Sequence, residues 1–210
     1  MTYRYQAVLF DLLTALLDSW TVWDETAGSQ ARGREWRAEY LKRTYGCGAY
    51  RPYETVVAEA AHAVGMDVSY AAALERNWAQ LAPWPGVTAT LAALARTHRL
   101  GVVTNCSERL GRIAAECVGV PFEVVVTSER AGYYKPDPRP YRLALQQLDL
   151  DAGRVLFVAG SAYDMFGTAE VGLDTYWHNR VGLAAPAGAP QPLVESRSLD
   201  ELPALAVREI

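Results

Sequence analysis

The sequence predicts an α/β protein: a parallel sheet with helices on both faces, interrupted after its first strand by an all-helical insertion. Three observations carry this. Short β-branched apolar runs recur without period-two alternation, which suits strands buried on both faces. Segments of helical spacing lie between most of them, the alternation that a parallel sheet requires. Residues 19–83, by contrast, hold several helical patterns and no convincing strand.

The first run is "QAVLF" (6–10), which ends at Asp11 and is followed at once by more leucine in "AVLFDLLTALLDSW" (7–20). The insertion follows and returns through "APWPG" (82–86). The helical stretch "GVTATLAALARTH" then leads to the run "LGVVTN" (100–105), and "ERLGRIAAECVG" to "FEVVVTS" (122–128). "PRPYRLALQQLDL" precedes "VLFVAG" (155–160), and "DTYWHN" (174–179) is the fifth run; "LAAPAGAPQP" beyond it is a Pro/Ala/Gly loop. The expected architecture is a Rossmann-like core formed by residues 1–18 and 84–210, with 19–83 as a helical cap.

At 210 residues, 50% hydrophobic and 21% charged, the chain can bury one core and carry such an insertion. A net charge of −4 with interspersed signs favours neither nucleic acid nor an anionic membrane as partner. The first apolar run is too short to span a bilayer, contains Asp11 and lacks a preceding basic region, so a cytoplasmic location is expected. Cys47, Cys106 and Cys117 have no CxxC spacing and suggest neither disulfides nor a zinc site. The expected partner is a small anionic substrate, with no metal or other cofactor; a homodimer stays open.

Ligands of an open parallel sheet bind outside the carboxyl ends of its strands, so polar residues there are the candidates. Asp11 ends strand one, Thr104 and Asn105 end strand two, Lys135 follows strand three in "YYKPDPRPY", and Asp164 follows strand four in "VAGSAYD". Singly, each reads equally as a cap, a turn residue or a solvated charge. His62, His98 and His178 are scattered, and Cys106 has no histidine near it in sequence.

Taken together, a strand-end Asp, an hhhTN run, a Lys in YKPD and a motif ending in Asp resemble the haloacid dehalogenase superfamily across essentially the full chain. "YYKPDPRPYRLAL", "LFVAGSAYDMFG" and "TYWHNR" are similar to its 2-haloacid dehalogenase branch, as is "EWRAEYLKRTYG" in the cap, where Arg37 matches the cap arginine. The resemblance implies that Asp11 is a nucleophile, that Lys135 keeps it ionised, and that Asp164 and Arg37 are catalytic. It implies substrate contacts for Thr104, Asn105 and Tyr141; Leu13, in the apolar stretch after Asp11, is expected to wall the substrate pocket, and Ser161 is a further expected substrate contact.

The superfamily's phosphatases place a second Asp two residues after the nucleophile, as general acid, and a magnesium-binding Asp four residues before the last one. Here those positions are Leu13 and Gly160. Leucine cannot donate a proton, and magnesium, which wants several hard oxygen ligands, loses one of few. The dehalogenase pattern is also departed from: Leu13 replaces its Tyr, Thr14-Ala15 its Gly-Thr, and Ala159-Gly160-Ser161 its Ser-Ser-Asn. The expected activity is metal-independent displacement at the α-carbon of a small carboxylic acid, through an ester on Asp11. Ring opening of an azetidine-2-carboxylate type of substrate, a magnesium-dependent phosphatase and a non-catalytic binding module are the alternatives.

Overall fold

The structure, a computed structural model, describes residues 3–45 and 47–207. Its centre is a six-stranded parallel sheet: β1 (Ala7–Phe10), β2 (Arg99–Thr104), β3 (Val124–Thr127), β4 (Val155–Ala159), β5 (Asp174–His178) and β6 (Val194–Ser196), in the order β3-β2-β1-β4-β5-β6. The five runs expected from sequence are the first five strands. The sixth, three residues long, was missed because "VES" on a sheet edge carries no apolar run.

The α/β prediction holds because these strands are apolar on both faces. Val8, Phe10, Val102 and Val158 face one layer, with α5 (Val87–Leu94), α6 (Glu108–Cys117) and α10 (Leu202–Ala206). Leu9, Val103, Val126 and Phe157 face the other, with α8 (Pro138–Leu148) and α9 (Asp164–Val171); a short α7 (Ser128–Ala131) follows β3. β1 pairs with β2 on one side and β4 on the other, so the strand order reverses at β1. A crevice opens there, at the carboxyl end of β1.

Between β1 and β2 lie α1 (Ser19–Thr26), α2 (Gln30–Tyr45), α3 (Tyr53–Ala63) and α4 (Ser69–Asn77). Aromatic rings are their core: Trp23 meets Trp36 at 4.6 Å, Tyr40 meets Tyr53 at 5.4 Å, and Tyr53 meets Trp78 at 5.8 Å between centroids. This cap is fastened to the core. The Trp78 indole donates to the Leu110 carbonyl of α6 at 2.9 Å, and Arg109 of α6 pairs with Glu75 of α4 at 2.6 Å. The exposed ion pair adds little; the buried indole bond adds more. Among the described residues no helix is long and apolar enough to cross a membrane.

Gly101 in β2 shows how tightly the sheet centre is filled. A Cβ there would lie 2.8 Å from Leu9 Cδ2 and 3.0 Å from the Val124 carbonyl oxygen. Gly101→Ala is therefore expected to cost about 1–3 kcal/mol, the usual cost of overpacking, read as a lowered urea midpoint. A change below about 0.5 kcal/mol would show that the neighbouring strands yield.

Candidate active site

The β1–β4 ladder continues one bond past the strand, with the Asp11 amide donating to the Val158 carbonyl at 2.9 Å, so Asp11 is placed by the sheet itself. The chain then turns back on the carboxylate. Asp11 Oδ2 accepts from the Thr14 amide at 2.9 Å, the Thr14 hydroxyl at 2.5 Å and the Ala15 amide at 3.1 Å. Oδ1 accepts from Lys135 Nζ at 2.8 Å.

Lys135 also reaches Asp164 Oδ1 at 2.9 Å, so one ammonium bridges two carboxylates, all three side chains being less than a tenth exposed. Its backbone is clamped by Asn105, whose Oδ1 accepts from the Lys135 amide at 2.7 Å and whose Nδ2 donates to the Lys135 carbonyl at 3.0 Å. Ser128 donates to the same Asn105 oxygen at 2.8 Å. Asp164, the first residue of α9, receives the Tyr141 hydroxyl at 2.7 Å.

This environment splits the two carboxyl groups. Burial pushes both up, but Asp11, with Lys135 and the Thr14 donors, ends below the usual carboxylate range, whereas Asp164 ends above it. Burial also pulls the Lys135 ammonium down, and the two carboxylates more than offset it, leaving Lys135 protonated.

Above this group is a cavity of about 80 Å³, with Asp11, Lys135 and Asp164 at its floor and Leu13, Trp20, Leu41, Tyr45, Tyr163 and Leu183 among its walls. Arg37 of α2 enters from the cap. It is buried, donates to Ser19 Oγ at 3.0 Å and lies 3.8 Å over the Trp20 ring. Among the described residues no carboxylate pairs with it, so a buried guanidinium faces the cavity in need of an anion.

Of the residues expected from sequence, Asp11, Leu13, Arg37, Asn105, Lys135, Ser161 and Asp164 line this cavity. Thr104 and Tyr141 do not: both are fully buried behind it. Thr104 has its methyl toward α6, near where a Cβ on Gly111 would be, and Tyr141 spends its hydroxyl on Asp164. Cys106 is buried outside the cavity wall, and burial pushes its thiol up. Tyr45 was missed. Its ring stacks on Tyr163 at 4.2 Å, and burial raises its hydroxyl to about 12. The signal was present, since Arg37, Leu41 and Tyr45 recur every four residues on one face of α2. Leu183 sits in an irregular loop and had none.

The residues present do not fit a magnesium ion. The place between the two carboxylates is taken by an ammonium, and a Cβ on Gly160 would fall 2.2 Å from Thr14 Oγ1 and 2.3 Å from the Ala15 nitrogen, leaving no room for a ligating carboxylate. Among the described residues no three His, Cys, Asp or Glu side chains come together as metal ligands.

A sequence model described as haloacid dehalogenase-like hydrolase matches residues 8–178. The chain belongs to that family. This haloacid dehalogenase-like hydrolase is 27% identical, over 94% of its own length and 96% of the relative's, to the (S)-2-haloacid dehalogenase H-109 of Pseudomonas putida. Over a shorter stretch, 58% of this chain and 53% of the relative, it is 37% identical to a plasmid phosphoglycolate phosphatase of Cupriavidus necator. Its fold is that of the L-2-haloacid dehalogenase of Xanthobacter autotrophicus solved with chloropropionic acid covalently bound, at a TM-score of 0.82 and 23% identity over 96% of this chain and 98% of the other.

Lys135 is the hinge of the site's electrostatics. Lys135→Met would leave two buried carboxylates without a cation, costing about 3–5 kcal/mol of stability at neutral pH. Both carboxyls of the variant are then held above their unfolded values, so the variant regains stability as pH falls, whereas in the native chain only Asp164 is raised and Asp11, held low, keeps its contribution until the pH drops below the unfolded carboxylate value. Urea midpoints at about pH 7.5 and about pH 5 are expected to converge. An equal gap at both would contradict the ion triad.

Proposed function

We propose that the chain is a metal-independent dehalogenase of small 2-haloacids that works through an ester on Asp11. The observation that carries this is the unequal use of the Asp11 carboxylate at the cavity wall: three donors hold Oδ2, while Oδ1 keeps only Lys135. An ionised, largely dehydrated oxygen held in line with a carbon centre is a competent nucleophile. The Pseudomonas putida relative is named for 2-haloacids, which supports the substrate class.

In the first step Asp11 Oδ1 bonds to the α-carbon and the carbon–halogen bond breaks, the halide leaving with the electron pair. Arg37, buried and without a carboxylate partner, stabilises that departing charge. The Ser161 hydroxyl and the uncommitted amide hydrogen of Asn105 take the substrate carboxylate. In the second step water attacks Asp11 Cγ and gives a proton to Asp164, whose raised carboxyl suits a base. Charge collects on Oδ2 among its three donors. The Cγ–Oδ1 bond then breaks, the product alkoxide is protonated, and one net proton goes to solvent. Tyr141 orients Asp164.

The phosphatase alternative has the partial likeness to the Cupriavidus necator enzyme. It lacks a proton donor, since Leu13 stands in the second acid's place at the cavity wall.

Halide release from a panel of 2-haloacids is expected to proceed in excess EDTA, with azetidine-2-carboxylate and phosphomonoesters, with and without magnesium, as comparison substrates. Strict magnesium dependence, or phosphate release faster than halide release, would overturn the proposal. Arg37→Ala is expected to remove about 2–4 kcal/mol of transition-state stabilisation, a fall in kcat/KM of roughly 30-fold or more. A fall below about threefold would leave Arg37 outside the reaction.

A further inference from the structure

The donors to Asp11 Oδ2 sit on a two-residue loop that has its own supports. The Thr14 carbonyl accepts from the Trp84 indole Nε1 at 3.1 Å, and the Ala15 carbonyl is 2.7 Å from His178 Nδ1. A carbonyl can only accept, so Nδ1 carries the proton of a ring that burial keeps neutral. His178 is the last residue of β5, so this bond joins the end of β5 to the loop after β1. The loop's front is blocked too: a Cβ on Gly160 would strike Thr14 and Ala15. Neither Trp84 nor His178 lines the cavity, and His178 is 2% exposed.

We infer that Trp84 and His178 are positioning residues for the second step of the reaction proposed above, on which this inference rests. The peptide that receives the Trp84 N–H at its oxygen is the one that aims the Ala15 N–H at Asp11 Oδ2. A donor on the carbonyl polarises that peptide and strengthens its N–H, and His178 fixes the next peptide, so the amide cannot rotate away. The two steps use these donors in opposite ways. While Oδ1 attacks carbon, Asp11 loses negative charge and gains nothing from donors on Oδ2. When water attacks Cγ, Oδ2 takes on a full charge, and preorganised donors there act as an oxyanion hole. Loosening the loop therefore slows ester hydrolysis and not ester formation.

The test is rapid-quench kinetics on the best haloacid with His178→Leu and Trp84→Phe, each of which removes one N–H and keeps an apolar side chain. With native enzyme, a mass increase on the peptide containing Asp11 must appear during turnover. Its absence would refute the ester mechanism itself and leave the pinning proposal without a step to act on. Given that ester, both variants are expected to show a burst of one halide per site, a rise in the ester-bearing fraction, kcat lower by about tenfold, and KM unchanged or lower. His178→Asn, whose Nδ2 takes the place of Nδ1, is expected to return kcat to within about threefold of native. Unchanged ester occupancy in the donor-less variants, or a matching loss in His178→Asn, would overturn the inference. Should His178→Leu fail to fold, Trp84→Phe decides alone, because it keeps a ring in place and loses only the indole donor.

Discussion

Everything in this site hangs on one ammonium held between two carboxylates in a place water hardly reaches. Lys135, Asp11 and Asp164 come from three separate segments, and each would be costly to bury alone, several kcal/mol for an unpaired ion. The sheet makes the meeting unavoidable. Strand order reverses at β1, the ladder fixes Asp11 one residue beyond it, β4 leads into α9 and Asp164, and the Asn105 amide at the end of β2 holds the Lys135 backbone by both its polar groups. The fold supplies positions; the charges supply the reason they stay occupied.

The triad is asymmetric, and chemistry follows from the asymmetry. Asp11 has Thr14 and Ala15 donors that Asp164 lacks, so it stays ionised below the usual range while Asp164 rises above it. A low carboxylate is suited to displacement, a raised one to taking a proton. The cap completes the arrangement by closing an apolar wall and presenting Arg37, and its ties through Trp78 and Arg109 hold that guanidinium over the sheet.

Much of this was legible in the residues. The strands were readable because both faces of a central parallel sheet must be apolar, and the cap because residues 19–83 lack any such run. The motif residues Asp11, Lys135 and Asp164 were legible because strand ends are where an α/β sheet binds ligands. What escaped depends on contacts between segments far apart in sequence. The hydroxyl of Tyr141 turns to Asp164 only because α8 packs beside α9, and the methyl of Thr104 lies against α6 near Gly111 rather than toward the cavity. Leu183 reaches the cavity from a loop without period, held at both its amide and its carbonyl by Asn179. Gly160 looked like a lost metal ligand; the structure adds that Thr14 and Ala15 fill the space a ligand would need.

The central claim is that Asp11 Oδ1 becomes the oxygen of the product. A general-base role for Asp11 would use the same residue and suffer the same loss in Asp11→Asn, so substitution does not separate the two. A single turnover in oxygen-18 water with enzyme in excess does. An ester hydrolysed at Cγ hands a protein oxygen to the product, giving unlabelled hydroxy acid and one heavy oxygen on the peptide containing Asp11. Labelled hydroxy acid with an unlabelled peptide would contradict the account and leave Asp11 as a base for direct attack by water.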